Sequence, residues 1–157
     1  MNWLTSLFRP TRPPAKLWAG KVYSAQEWAT ILGATESPVD ESYAEVNLDA
    51  LPEYYSWFVG ALGKLGVVKS WASDLDCDNR SWLYCDLAPV YWYLQGWTAG
   101  RPDAQSPAFA SYLYWLDWSQ PGHVIAAVGT QRGLVFIEPQ TGLIVPQPTA
   151  QRRRTIT

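Results

Sequence analysis

Three residues of this 157-residue chain have the types and the order of a cysteine nucleophile site. Cys77 stands in Asp76-Cys77-Asp78, the single histidine follows in Gly122-His123-Val124, and Glu138 closes the series in Phe136-Ile137-Glu138-Pro139-Gln140. In such a set a thiolate attacks a carbonyl carbon, an imidazole carries the proton, and a carboxylate fixes which ring nitrogen holds it. A thiolate is favoured at a helix N-terminus, where unpaired amides face the anion, and beside an imidazolium. Asp74, Asp76 and Asp78 work against it, because clustered negative charge disfavours a second anion. The offsetting cation is either Arg80, just inside the same segment, or a bound Ca²⁺, an ion that suits clustered carboxylate and backbone oxygens.

The elements that must position these residues are legible in the pattern. Arg80, Ser81, Trp82, Leu83, Tyr84, Cys85 and Leu87 read as a helix, which puts Cys77 at or just inside its N-terminus, with Pro89 as a kink or an end. His123 opens the apolar run 123–128, and a second run, 133–137, follows the turn Gly129-Thr130-Gln131-Arg132-Gly133. Pairing about Gln131 makes these runs a hairpin with His123 and Glu138 together at its open end. Further strands are expected over 110–116 and 143–145. Upstream, Ser24-Ala25-Gln26-Glu27 is a capping box for a helix whose apolar face is Trp28, Ile31 and Leu32 and whose end is Gly33. A second helix is expected from Pro52 to Lys64, where Tyr54, Trp57, Phe58, Ala61 and Leu62 recur at helical spacing, and an acid-rich linker over 34–49 joins the two. Helices first and an antiparallel sheet second predict an α+β domain.

Length predicts one domain, over residues 21–148, able to bury a core without disulfides. An apolar N-terminal arm, 1–20, carries Trp3-Leu4 and Leu7-Phe8 ahead of Pro10-Thr11-Arg12-Pro13-Pro14, and a basic C-terminal tail occupies 149–157. Residues 1–21 and 149–157 together hold seven of the twelve basic residues and none of the fourteen acidic ones, so an acidic body is flanked by basic ends suited to docking on neighbouring protein subunits. Two cysteines, Cys77 and Cys85, with no CxxC or Cys/His cluster, argue against zinc or a disulfide framework and for a reducing compartment. The absence of an apolar run of about 18 residues predicts no membrane span, and the N-terminus lacks the charged start and apolar run of a signal peptide. A cytoplasmic or virion-associated protein is expected. The aromatic residues show no alternation with basic ones, which argues against stacking on nucleic acid.

The pieces Asp76-Cys77-Asp78, Gly122-His123 and Glu138-Pro139-Gln140-Thr141-Gly142 resemble the papain-like, transglutaminase-like cysteine peptidase domain at the C-terminus of a fungal (Marasmius-type) agglutinin and of related bacterial and phage proteins. The resemblance spans about residues 20–146, and Glu-Pro-Gln-Thr-Gly is its most specific motif. It implies a Cys helix packed on a small antiparallel sheet that carries His and Glu. It also implies that Cys77 is the nucleophile, His123 the general base and acid and Glu138 the orienting carboxylate, with Gln140 and Trp71 near the site. Calcium dependence is a further implication, with Asp74, Asp76 and Asp78 as the candidate ligands. Where the family shows Asp-Cys-Asp-Asp-Phe-Ala, this chain has Asp-Cys-Asp-Asn79-Arg80-Ser81, one carboxylate fewer and one guanidinium more.

The activity expected on this basis is that of a cysteine hydrolase, a peptidase or amidohydrolase or a transglutaminase-like enzyme acting on a peptide or protein. It would pass through an acyl-enzyme, with the Cys77 N–H and Gln140 or Trp71 holding the oxyanion. Two other classes fit the same residues. One is a phage virion or connector protein that uses the fold as a building block. The other is a carbohydrate-binding module that uses exposed Trp and Tyr, for which the chain's ten tryptophans and nine tyrosines provide material.

Overall fold

A computed structural model describes residues 17–33, 40–67, 76–98, 106–115, 122–149 and 152–156. In chain order the elements are β1 (Trp18–Ser24), α1 (Ala25–Leu32), β2 (Ser42–Val46), a 3₁₀ turn (Leu48–Ala50), α2 (Leu51–Lys64), α3 (Cys77–Thr98), β3 (Ser106–Pro107), β4 (Phe109–Trp115), β5 (His123–Thr130), β6 (Gly133–Glu138), β7 (Leu143–Val145) and β8 (Arg152–Ile156). The architecture is mixed α+β, as the pattern predicted.

β5 is the hub of the sheet. It pairs antiparallel with β4 on one side and with β6 on the other, and touches β2 in parallel through Val46 and Thr130. β7 continues from β6, β8 from β4, and β1 from β2. A strand with neighbours on both sides and cover on both faces must be apolar throughout, and β5 is buried from Val124 to Thr130. Its two faces feed two cores. Ala126 and Val128, with Ile137 of β6, pack against Tyr54 and Phe58 of α2 and Tyr84, Ala88 and Tyr91 of α3. Ile125 and Ala127, with Phe136 of β6, pack against Tyr23, Trp28, Leu32, Tyr43 and Tyr112. The sheet is therefore sandwiched between α1 and the α2–α3 pair.

Helix boundaries follow local chemistry. Ser24 caps α1 with its hydroxyl on the Glu27 N–H while Glu27 reaches back to the Ser24 N–H at 2.7 Å, and Gly33 closes the helix at φ +63°. Trp28, Ala29 and Leu32 form its buried face, whereas Ile31, expected there, is exposed. α2 starts one residue before the expected Pro52, which sits in its first turn. α3 runs through Pro89 to Thr98, so the proline neither ends the helix nor falls on its buried side.

Three stretches differ from expectation. The acid-rich linker contains β2, Ser42-Tyr43-Ala44-Glu45-Val46, whose acids flank a buried core strand. Glu45 is buried too, and accepts the Tyr23 hydroxyl proton at 2.9 Å. Residues 18–20 of the expected arm begin β1, and Arg152–Ile156 of the expected tail form a strand on β4. Both lie at the rim of the sheet, where strands pair on one side only.

Candidate functional site

Of the residues singled out in the sequence, His123 and Glu138 meet. The hairpin has the register that counting required, with Thr130 opposite Gly133 and Ala126 opposite Ile137, so the first residue of β5 and the last of β6 share one end. His123 Nε2 lies 2.7 Å from Glu138 Oε2, with both side chains partly exposed. The second carboxylate oxygen, Oε1, accepts the backbone N–H of Gln140 at 3.1 Å. Glu138 thus orients the ring and folds its own turn at once.

That turn is fastened from two helices. The Tyr55 hydroxyl of α2 donates to the Gln140 carbonyl at 2.8 Å, and Arg80 Nε of α3 donates to the Pro139 carbonyl at 3.2 Å. Gly142, at φ +73°, lies flat on the Tyr55 ring, so close that a Cβ there would fall 2.5 Å from ring carbons. Burial raises the Tyr55 pKa, opposed by the adjacent Arg80 guanidinium and assisted by the Glu138 charge, which places Arg80, Tyr55 and Glu138 in one electrostatic neighbourhood. Arg80 is only 4 % exposed, an unusual setting for a guanidinium that its carbonyl partner helps to satisfy. The sequence marks Arg80 as a counter-charge for the thiol but gives no sign of its part in this clamp, and Tyr55, outside the apolar set at helical spacing, carries no signal at all.

Cys77 opens α3 as expected, partly exposed and without a disulfide, and Cys85 lies two turns further along, partly buried against the α2–α3 core. Asp76 and Asp78 flank Cys77, each with one buried oxygen that has no hydrogen-bond partner. Trp71 and Asp74 lie outside the described residues. Two carboxylates provide fewer than the about six to eight oxygens that Ca²⁺ takes, and no group of three or more metal-ligating side chains occurs among the described residues.

A second feature lies on the opposite side of α3. Tyr84, Ala88 and Tyr91 face the core, while Trp82, Asp86, Pro89, Val90 and Tyr93 are exposed. Trp82 and Tyr93 are eleven residues apart, about three helical turns and about 16 Å along one face. They are 40 % and 53 % exposed, large values for rings of this size.

No family model matches the chain, and no curated protein matches it. Solved structures do. One, described as a PSL1a-E64 complex, aligns at a TM-score of 0.54 with 15% identity, covering 78% of this chain and 46% of that one. Another is a lectin from Polyporus squamosus bound to the human-type influenza-binding epitope Neu5Acα2-6Galβ1-4GlcNAc, with a TM-score of 0.53, 14% identity, and coverage of 77% of this chain and 42% of the lectin. The chain thus shares a fold with part of these proteins and spans less than half of their length. The likeness agrees with the fungal agglutinin resemblance. It overturns the expectation of a cysteine hydrolase, peptidase or transglutaminase-like enzyme: the fold neighbour bears the name of a lectin and, in one structure, a bound glycan epitope. A His–Glu pair at the open end of a hairpin is also what a turn-fastening polar cluster looks like, and order along the chain does not separate the two. No helix among the described residues is long and apolar enough to cross a membrane.

Proposed function

We propose that this chain is a carbohydrate-binding domain and that the exposed face of α3, with Trp82, Asp86 and Tyr93, is its glycan-contacting surface. The observation that carries the reading is the pair of solvent-facing rings on one helical face, in a fold shared with a lectin. Sugars present C–H faces that pack on aromatic rings and hydroxyls that hydrogen-bond to carboxylates, and a helix offering Trp, Asp and Tyr in line supplies both. The separation of the rings suits an oligosaccharide rather than a single sugar. His123, Glu138 and Gln140 belong in this reading to the polar cluster of the 138–142 turn, which Arg80 ties to the α3 helix that Cys77 opens, in a papain-like placement of helix on sheet. Binding to a glycan panel, followed by tryptophan fluorescence, tests the proposal: saturable binding that Trp82→Ala and Tyr93→Ala both weaken supports it, and a silent panel or equal binding by both variants refutes it.

A further inference from the structure

The far edge of the sheet carries two large apolar side chains, one toward each face, that nothing among the described residues covers. Among the described residues β7 pairs with β6 alone, and its Leu143 and Ile144 are 65 % and 56 % exposed, the two most exposed large aliphatic side chains among the described strands. Ile144 stands opposite buried Ile137, and Leu143 opposite Glu138, so the two side chains extend the sheet's two faces beyond its rim. Pro146 follows directly, so only three residues offer an edge that could pair. Recognition here must come mainly from side chains.

The chain holds a segment of matching chemistry. Residues 3–8, Trp-Leu-Thr-Ser-Leu-Phe, place four large apolar side chains within six positions, and Arg9–Lys16 joins them to Leu17 through three prolines. Leu17 is fully buried and its carbonyl accepts the Asn47 N–H, so the point of departure is fixed beside the end of β2. From β1 to β7 there are four steps between strands, and from the Thr130–Gly133 level to Val145 about three residues along them, a span of about 22 Å. Eight residues of proline-rich chain extend about 25 Å. A tether whose length matches the span gives the highest effective concentration, which favours capture by the segment's own domain over capture by a second copy.

We infer that residues 3–8 dock on the β7 edge of their own chain, with Trp3, Leu4, Leu7 and Phe8 covering Leu143 and Ile144. The arm then acts as an edge guard, shielding an apolar rim that would otherwise invite pairing with another molecule. Hydrogen–deuterium exchange on the full-length chain tests this. Trp3→Asp/Leu7→Asp should speed exchange in the 143–145 segment by about tenfold. Leu143→Asp/Ile144→Asp, at exposed positions that leave the core intact, should speed exchange in residues 3–8 alike. Unchanged exchange in both segments overturns the inference. So does protection that rises with protein concentration alongside a doubled mass in light scattering, because the arm then sits on a second copy.

Discussion

Three glycines separate two costs that usually arrive together, backbone strain and steric overlap. Gly133 has φ +94° with open space around a would-be Cβ, so Gly133→Ala meets strain alone. Gly129, in β5, has ordinary backbone geometry but would put a Cβ 2.7 Å from the Trp28 ring and 3.1 Å from the Ala108 methyl, so Gly129→Ala meets overlap alone. Gly142 has both, φ +73° and a Cβ position 2.5 Å from Tyr55. A left-handed non-glycine residue costs about 1–2 kcal/mol, less up to about 1 kcal/mol regained because alanine restricts the unfolded chain. Overpacking in a closed core costs about 1–3 kcal/mol. The expected losses are therefore about 1 kcal/mol for Gly133→Ala, about 2 for Gly129→Ala and about 3 for Gly142→Ala. Urea unfolding followed by fluorescence reads them as midpoint shifts at constant slope. If Gly142→Ala were no worse than Gly133→Ala, the Tyr55 ring would not be fixed against the turn, and the clamp described around Glu138 would be wrong.

Other outcomes follow from the same contacts. Burial, with the Glu45 carboxylate accepting its proton, pushes the Tyr23 pKa up to about 12. The folded state therefore holds this proton more tightly than the unfolded chain, whose phenol titrates near 10, so stability is full below about pH 10 and falls by about 2–3 kcal/mol as pH rises toward 12. Tyr54 and Tyr84, raised well above their ordinary value by burial, add to that fall. Unfolding midpoints across this range should show a shallower decline for Tyr23→Phe, and an identical slope would refute the assignment. Ser24→Ala removes one half of the capping box and should cost about 1 kcal/mol in the same unfolding assay. Tyr55→Phe leaves the Gln140 carbonyl without its donor and should cost about 1 kcal/mol, with the His123 ring resonances shifting because Glu138 loses its fixed turn. Unmoved resonances would show that the turn is held without Tyr55.

Much of the fold could be read from local signals because those signals act locally. The capping box at Ser24, the proline at the start of α2, the glycine turn between β5 and β6 and the 143–145 strand all appear where residue chemistry put them. The hairpin count that joined His123 to Glu138 worked because strand register fixes which residues share an end. β2 was hidden because Asp40, Glu41 and Glu45 made its neighbourhood look like a solvated linker, and only a distant partner, the Tyr23 hydroxyl, makes a buried Glu45 tolerable. β8 was hidden because three successive arginines look like a tail, and pairing with β4 is a tertiary event with no local pattern. Arg80 shows the same limit: its charge was visible, but the carbonyl that receives it lies on a turn 59 residues away. The order Cys77, His123, Glu138 has the same limit. Cys, His and Glu in order define chemistry only when the surroundings serve it. Around Glu138 the described bonds go to the turn and to His123.

The most direct test of the account is a calorimetric titration of the full-length chain and of Trp82→Ala with the best-binding glycan of a panel. A glycan-contacting face on α3 predicts measurable binding by the native chain and a loss of about tenfold or more in the variant, the scale on which central aromatic contacts act. Native-level affinity in Trp82→Ala, with the fold intact, would contradict it.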